Sequence, residues 1–168
     1  MNRLAVFILF FLSSVRIFGN SDTDSISYTS HIFDPRIKTV QLYREGWNLS
    51  YPIIKLKSDE KLVLDFDLLD DQPETYYYTF IHCDKDWNKS DIFPNDYLGG
   101  NSENPVEDYK NSFNTTVSYI HYRLSFPNDR VSLNLSGNYV LFVYPPDKPE
   151  EPVITQRFIV TGTKTHGC

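Results

Sequence analysis

The stretch Lys61-Leu62-Val63-Leu64-Asp65-Phe66-Asp67-Leu68 decides the class of the fold. Successive side chains on an extended strand point to opposite faces, so Leu62, Leu64, Phe66 and Leu68 share one face while Val63, Asp65 and Asp67 share the other. That is the pattern of a half-buried strand. Upstream, residues 37–44 place Val40 and Leu42 on one face. Between the two, residues 51–57 read as a shorter strand with Pro52 at its start, where a missing N–H costs least, and Ser58-Asp59-Glu60-Lys61 as the turn that follows.

Downstream, residues 76–83, 113–126, 139–144 and 153–160 complete the set of strands, with Ile120, Tyr122, Leu124 and Phe126 on one face. Turn-forming clusters (DDQPET, PNDR, PPDKPEEP) separate the runs. Tyr, Phe, Val and Ile are abundant, and helical faces are scarce. About seven short alternating strands predict an all-β domain, an immunoglobulin- or fibronectin-like β-sandwich. Ser136-Gly137-Asn138-Tyr139 opens the penultimate strand, where such sandwiches often place a tyrosine whose hydroxyl ties down the preceding turn; an ordinary strand tyrosine after a glycine turn fits equally well. Residues 84–112 read as one long irregular loop, the kind of segment that carries function in a compact domain.

The 168 residues suffice for one domain with a sizeable core. Residues 1–19 have the order of a secretory signal peptide: basic Arg3, an apolar run from Leu4 to Leu12, then small and polar residues. That run is well short of the roughly 20 residues that span a bilayer, and no later segment is apolar enough to do so. A polar lead of residues 20–31 follows, the sandwich occupies 32–162, and 163–168 form a polar tail. The expected location is therefore outside the cytoplasm. Sixteen basic against twenty-two acidic residues, a net charge of −6, argue against nucleic-acid binding. Cys83 and Cys168 read as two free thiols, and no cysteine follows the signal segment as a lipoprotein would require.

The densest polar cluster is His82-Cys83-Asp84-Lys85-Asp86-Trp87. An imidazole, a thiol and two carboxylates invite a metal-site reading, but on a strand His82 and Asp84 face one way and Cys83 the other, and no second ligand pair exists elsewhere. A structural role at the end of a strand is the stronger reading. His121, beside Tyr119 and Arg123 on the polar face of its strand, is placed to meet His82 across strands if the two pair; otherwise it is a surface histidine. There is no GxSxG elbow and no phosphate-binding glycine loop. Four Asn-X-Ser/Thr sequons, at Asn48, Asn88, Asn114 and Asn134, arise readily in Asn-rich strand ends. Twelve tyrosines, twelve phenylalanines and two tryptophans exceed what a core of this size requires, and Tyr76-Tyr77-Tyr78 must put aromatics on both faces of its strand, so some are expected to face a partner. No enzymatic activity, cofactor, metal or small-molecule substrate is expected.

In order along the chain stand Asp34-Pro35-Arg36-Ile37-Lys38-Thr39-Val40-Gln41-Leu42-Tyr43, the run from Tyr76 through His82-Cys83-Asp84-Lys85-Asp86-Trp87, and Tyr97-Leu98-Gly99-Gly100. Ser112-Phe113-Asn114-Thr115, His121-Tyr122, Phe126-Pro127-Asn128 and Ser136-Gly137-Asn138-Tyr139 follow. This succession resembles the N-terminal domain of the type IX secretion system plug protein of Bacteroidetes. The resemblance implies a periplasmic protein associated with the outer membrane, whose partner is the secretion β-barrel (the translocon) and whose role is to close its periplasmic mouth sterically. Family members continue past this domain, whereas here the sequence stops at TGTKTHGC, so a truncated or stand-alone domain is expected. The candidate contact surface is the 84–112 segment, with Trp87, Phe93, Tyr97, Asp84 and Asp86. Two rivals remain: a secreted carbohydrate-binding module that uses Trp87 and exposed tyrosines as a stacking platform, and a hydrolase or metalloprotein centred on His82, Asp84, Asp86 and His121.

Overall fold

A computed structural model describes residues 28–162 of the chain. The signal segment, most of the polar lead, the polar tail and Cys168 lie outside the described residues. The elements in chain order are β1 (His31–Ile32), β2 (Ile37–Arg44), β3 (Ile53–Lys55), β4 (Leu62–Leu68), β5 (Tyr77–Cys83), a single helical turn α1 (Pro94–Tyr97), β6 (Leu98–Gly100), β7 (Asn104–Pro105), β8 (Asp108–Asn111), β9 (Ile120–Phe126), β10 (Val131–Leu133), β11 (Gly137–Tyr144) and β12 (Ile154–Thr161).

Two sheets form the layers of a β-sandwich. One has the order β1-β12-β11-β5-β7, with β3 added in parallel to the end of β12; the other has the order β2-β4-β9-β8. A two-stranded ribbon of β6 and β10 completes the set. The inward set predicted for β4 is found as such: Leu62, Leu64, Phe66 and Leu68 are all fully buried, as are Ile120, Tyr122 and Phe126 of β9. Opposite them β5 contributes Tyr78 and Phe80, and β11 contributes Tyr139, Leu141 and Val143. Aromatic rings bridge the layers. Phe66 stacks on Tyr122 at 4.9 Å, Tyr76 meets both edge-on, and Phe80, Phe126 and Phe158 form a second triad with centroids 4.7–5.6 Å apart.

β11 is buried on both faces along nearly its whole length, because Val140, Phe142 and Tyr144 on its outer side belong to a second apolar cluster with Cys83. A central strand covered on both sides carries a continuous apolar run, which is why Tyr139-Val140-Leu141-Phe142-Val143-Tyr144 lacks alternation.

Three expectations need correction. The 84–112 segment is not irregular throughout: it holds α1, β6, β7 and β8. These strands are two to four residues long, too short to show a period; β6 and β7 pair with strands remote in sequence, while β8 pairs with the next strand, β9. The predicted 113–126 strand begins only at Ile120, and residues 112–119 form the connection from β8, with Phe113 almost fully exposed. Order also begins earlier than Ile32. The Tyr28 carbonyl accepts from Arg157 Nε at 2.6 Å, the Thr29 carbonyl accepts from the Thr155 hydroxyl at 2.6 Å, and the Tyr28 ring meets Phe142 edge-on.

The connection between β4 and β5 is anchored by one buried side chain. The Tyr122 hydroxyl accepts the Glu74 N–H and donates to the Glu74 carbonyl, both at 2.8 Å. Beside it, Arg36 gathers Asp34, Asp70 and Glu74. Replacing Tyr122 with Phe keeps the ring but strands both Glu74 backbone groups, so urea unfolding is expected to show a loss of about 1–3 kcal/mol.

Candidate partner-binding surface

The predicted cluster begins where β5 ends, and its polar groups build a turn. Asp84 Oδ1 accepts the N–H groups of Asp86 at 2.8 Å and Asn88 at 2.9 Å, while the Asp84 N–H donates to the Asn88 carbonyl at 2.8 Å. The Asn138 side chain donates to the Asp84 carbonyl at 2.9 Å, pinning the turn to the start of β11. The backbone N–H bonds from Asn88 and Asp86 hold the Asp84 carboxyl below its ordinary range, against a small opposing effect of burial. His82 is fixed alongside by a 2.8 Å hydrogen bond between Nδ1 and the Ser90 hydroxyl and by edge-on contact with Tyr139 at 5.0 Å. Gly137 makes room for it: a Cβ there would lie 2.4 Å from His82 Nε2, and its φ is +151°. Tyr139 in turn donates its hydroxyl to the Leu135 carbonyl at 2.9 Å, so it does tie down the preceding turn.

The turn's product is the placement of Trp87. Its backbone adopts φ +66°, a conformation that costs a non-glycine residue on the order of 1 kcal/mol and persists because the Asp84 bonds over-determine it. The indole folds back over the outer face of the first sheet, packs against the Cys83, Val140, Phe142 and Tyr144 cluster, and receives the Arg157 guanidinium 4.3 Å from its ring centre. Cys83 beneath it is a buried free thiol; burial, with the Asp84 charge adding, pushes its pKa up to about 11. Trp87 is thus half-buried, with part of its ring engaged by the outer cluster and by Arg157.

The other candidates separate. Phe93 is 80% exposed. Asp86 is exposed and pairs only with its neighbour Lys85 at 2.6 Å. Tyr97 is not a surface residue: it is buried in the main core, and its hydroxyl donates to the Phe80 carbonyl at 3.3 Å. As the last residue of α1 it leads directly into β6, whose pairing with β10 draws it inward.

His82 and His121 do not meet, because β5 and β9 belong to different sheets. On the outer face of the second sheet His121 Nδ1 lies 2.7 Å from Asp67 Oδ1, and Arg123 grips Asp65 with two bonds of 2.8 Å. The Tyr43 hydroxyl donates to the same Asp65 at 2.5 Å. Both Asp65 oxygens are occupied by donors within an ion-pair network, and no group of three or more His, Cys, Asp or Glu side chains among the described residues is arranged to hold a metal.

A second exposed apolar surface was not singled out from the sequence. Trp47, Leu49, Tyr51 and Ile53 are 58%, 93%, 84% and 39% exposed. They stand on the connection between β2 and β3, a compact loop closed by Trp47 N–H to the Arg44 carbonyl at 2.9 Å and by the Arg44 N–H to the Ser50 hydroxyl at 2.7 Å. Together with Arg44, Glu60 and Thr161 they line a groove of about 290 Å³. Their period-two spacing is the sequence signal for this surface, and its last part coincides with the strand expected from residue 51.

The sequence matches, over residues 37–162, the family described as the Type 9 secretion system plug protein 1st domain. The chain belongs to this family. No curated protein matches it. Among solved structures, the crystal structure of a hypothetical protein from Parabacteroides merdae superposes on this plug domain with a TM-score of 0.78 and 34% sequence identity. The match covers 82% of this chain and 34% of that one, so the plug domain here spans about a third of that relative's length.

Two measurements test the roles assigned to these residues. Trp87→Ala should lower stability by about 1–3 kcal/mol in chemical denaturation, because it uncovers the outer cluster and removes the Arg157 contact. Acid should also weaken the fold. Burial pushes the Asp65 carboxyl up, but the hydrogen bonds from Arg123 and Tyr43 and the charges of Arg123 and His121 outweigh it, so its folded-state pKa lies below that of the unfolded chain. The unfolded chain then takes up the proton first, and stability is lost as pH falls below about 4. Asp65→Asn is expected to flatten that slope in melts recorded from pH 6 to pH 2.5.

Proposed function

We propose that this domain binds the periplasmic side of the outer-membrane β-barrel through which type IX cargo passes, and helps to close that barrel when no cargo is engaged. The observation that carries the reading is the family match over residues 37–162. A plug acts by shape: it must hold its surface rigid, meet the barrel with enough complementarity to stop leakage, and leave again. The double-faced burial of β11 and the pinned Asp84 turn supply such a rigid surface, and a moderate interface with a polar rim suits reversible closure.

The chemistry is binding without catalysis. His82 and Asp84 are engaged in holding a turn, and His121 lies in the ion-pair network of the other sheet. Periplasmic location follows from the same reading, together with the signal-like first 19 residues. Within the 84–112 segment the contact is assigned to Phe93, which projects from the surface beside α1, with Asp84 and Asp86 at its polar rim.

The test is affinity capture of the tagged domain from the outer-membrane fraction of its own host, read by mass spectrometry for the very large secretion barrel. Recovery of that barrel supports the proposal, and its absence under native conditions counts against it. Phe93→Ala is expected to reduce recovery about tenfold with an unchanged melting temperature, as an exposed anchor should. Undiminished recovery would move the contact elsewhere on the domain.

A further inference from the structure

Four large apolar side chains exposed within seven residues form a patch of the kind that marks an interface, and the groove beside Trp47, Leu49, Tyr51 and Ile53 is such a place. We propose that this surface is the seat of the protein domain that follows this one in longer members of the family. The inference rests on family membership and does not depend on binding to the barrel.

Three observations select this occupant. The first is the path of the chain: Thr161, the last residue of β12, is itself part of the groove wall, so any polypeptide that continues beyond β12 leaves the sandwich at the rim of the patch. The second is length. The family is that of a first domain, and this chain covers only 34% of the solved Parabacteroides merdae relative, so most of that relative's polypeptide lies outside the matched domain. A domain held on a short tether reaches an effective concentration of about millimolar or more, and it covers the nearest complementary apolar surface before any free partner does.

The third is the make-up of the patch. Its apolar centre is bordered by the Arg44–Glu60 pair at 3.3 Å and by exposed Lys55, and Arg44 also lies 5.2 Å from the Trp47 ring centre. An apolar centre inside a charged rim is the anatomy of an inter-domain contact of ordinary size. The loop that carries it is short and internally hydrogen-bonded, so the seat is preformed. Trp87 takes no part, since it covers the outer face of the first sheet.

The experiment uses the full-length Parabacteroides merdae relative with the residue aligned to Leu49 changed to glutamate. Limited proteolysis is followed at the boundary after the position aligned to Gly162. Opening of the seat is expected to speed cleavage there about tenfold or more. In the present chain Leu49→Glu should leave the melting temperature unchanged, because that side chain is 93% exposed, and this separates loss of the seat from loss of the fold. Unchanged cleavage at the boundary overturns the proposal. If cleavage is unchanged while the variant no longer captures the secretion barrel, the patch belongs to the barrel: the seat is refuted and the plug reading stands. Faster cleavage with no barrel capture by either form supports the seat and refutes the plug reading.

Discussion

The constraint on which the structure depends is the burial of β11 on both faces. Its inner side chains, Tyr139, Leu141 and Val143, lock the two sheets together, and its outer ones, Val140, Phe142 and Tyr144, would face water unless something covered them. Each side chain of that size gains roughly 1.5–3 kcal/mol from burial, so leaving three exposed would cost a large part of a domain's net stability. The cover comes from Trp87 on one side and Tyr28 on the other, with Arg157 joining them: it stacks on the indole and donates to the Tyr28 carbonyl. The Asp84 turn exists to aim Trp87. A cluster that suggests a metal site on paper is a device for closing the back of a sheet.

The remaining charge is also placed for structure. On the outer face of the second sheet Asp65 and Asp67 are matched by Arg123, His121, Tyr43 and Thr39, and near β2 Arg36 holds three carboxylates at the opening of the β4–β5 connection. Among the exposed apolar side chains are Phe93 near the helical turn and the Trp47, Leu49, Tyr51 and Ile53 patch next to the end of β12.

Under the proposed readings, two apolar surfaces at different places would let the module meet a barrel with one and a following domain with the other. One contact would hold the module in register and the other would make the seal. The aromatic bridges between the layers, Tyr76 against Phe66 and Tyr122, and Phe126 against Phe80 and Phe158, keep the two surfaces in a fixed relation.

The sequence by itself determined the all-β class, the long strands and most of their inward faces, because period-two alternation reports directly which side of a strand is dry. It also carried the ordered motifs by which the family is identified, and the tie between Tyr139 and its preceding turn was one of two readings it left open. Only the tertiary structure decided the rest. The short strands β6 and β7 exist through partners far away in the chain, and β8 is only four residues long, so no local pattern announces them. Tyr97 is core and Phe93 is surface although only four positions separate them, because pairing of β6 with β10 draws one inward and nothing covers the other. His82 and His121 lie in different sheets for a reason of topology, and Trp87 is a lid because a distant strand needs covering. Alternation records the side of a strand that is buried; what lies against that side is settled by contacts between residues that the chain brings together only when it folds.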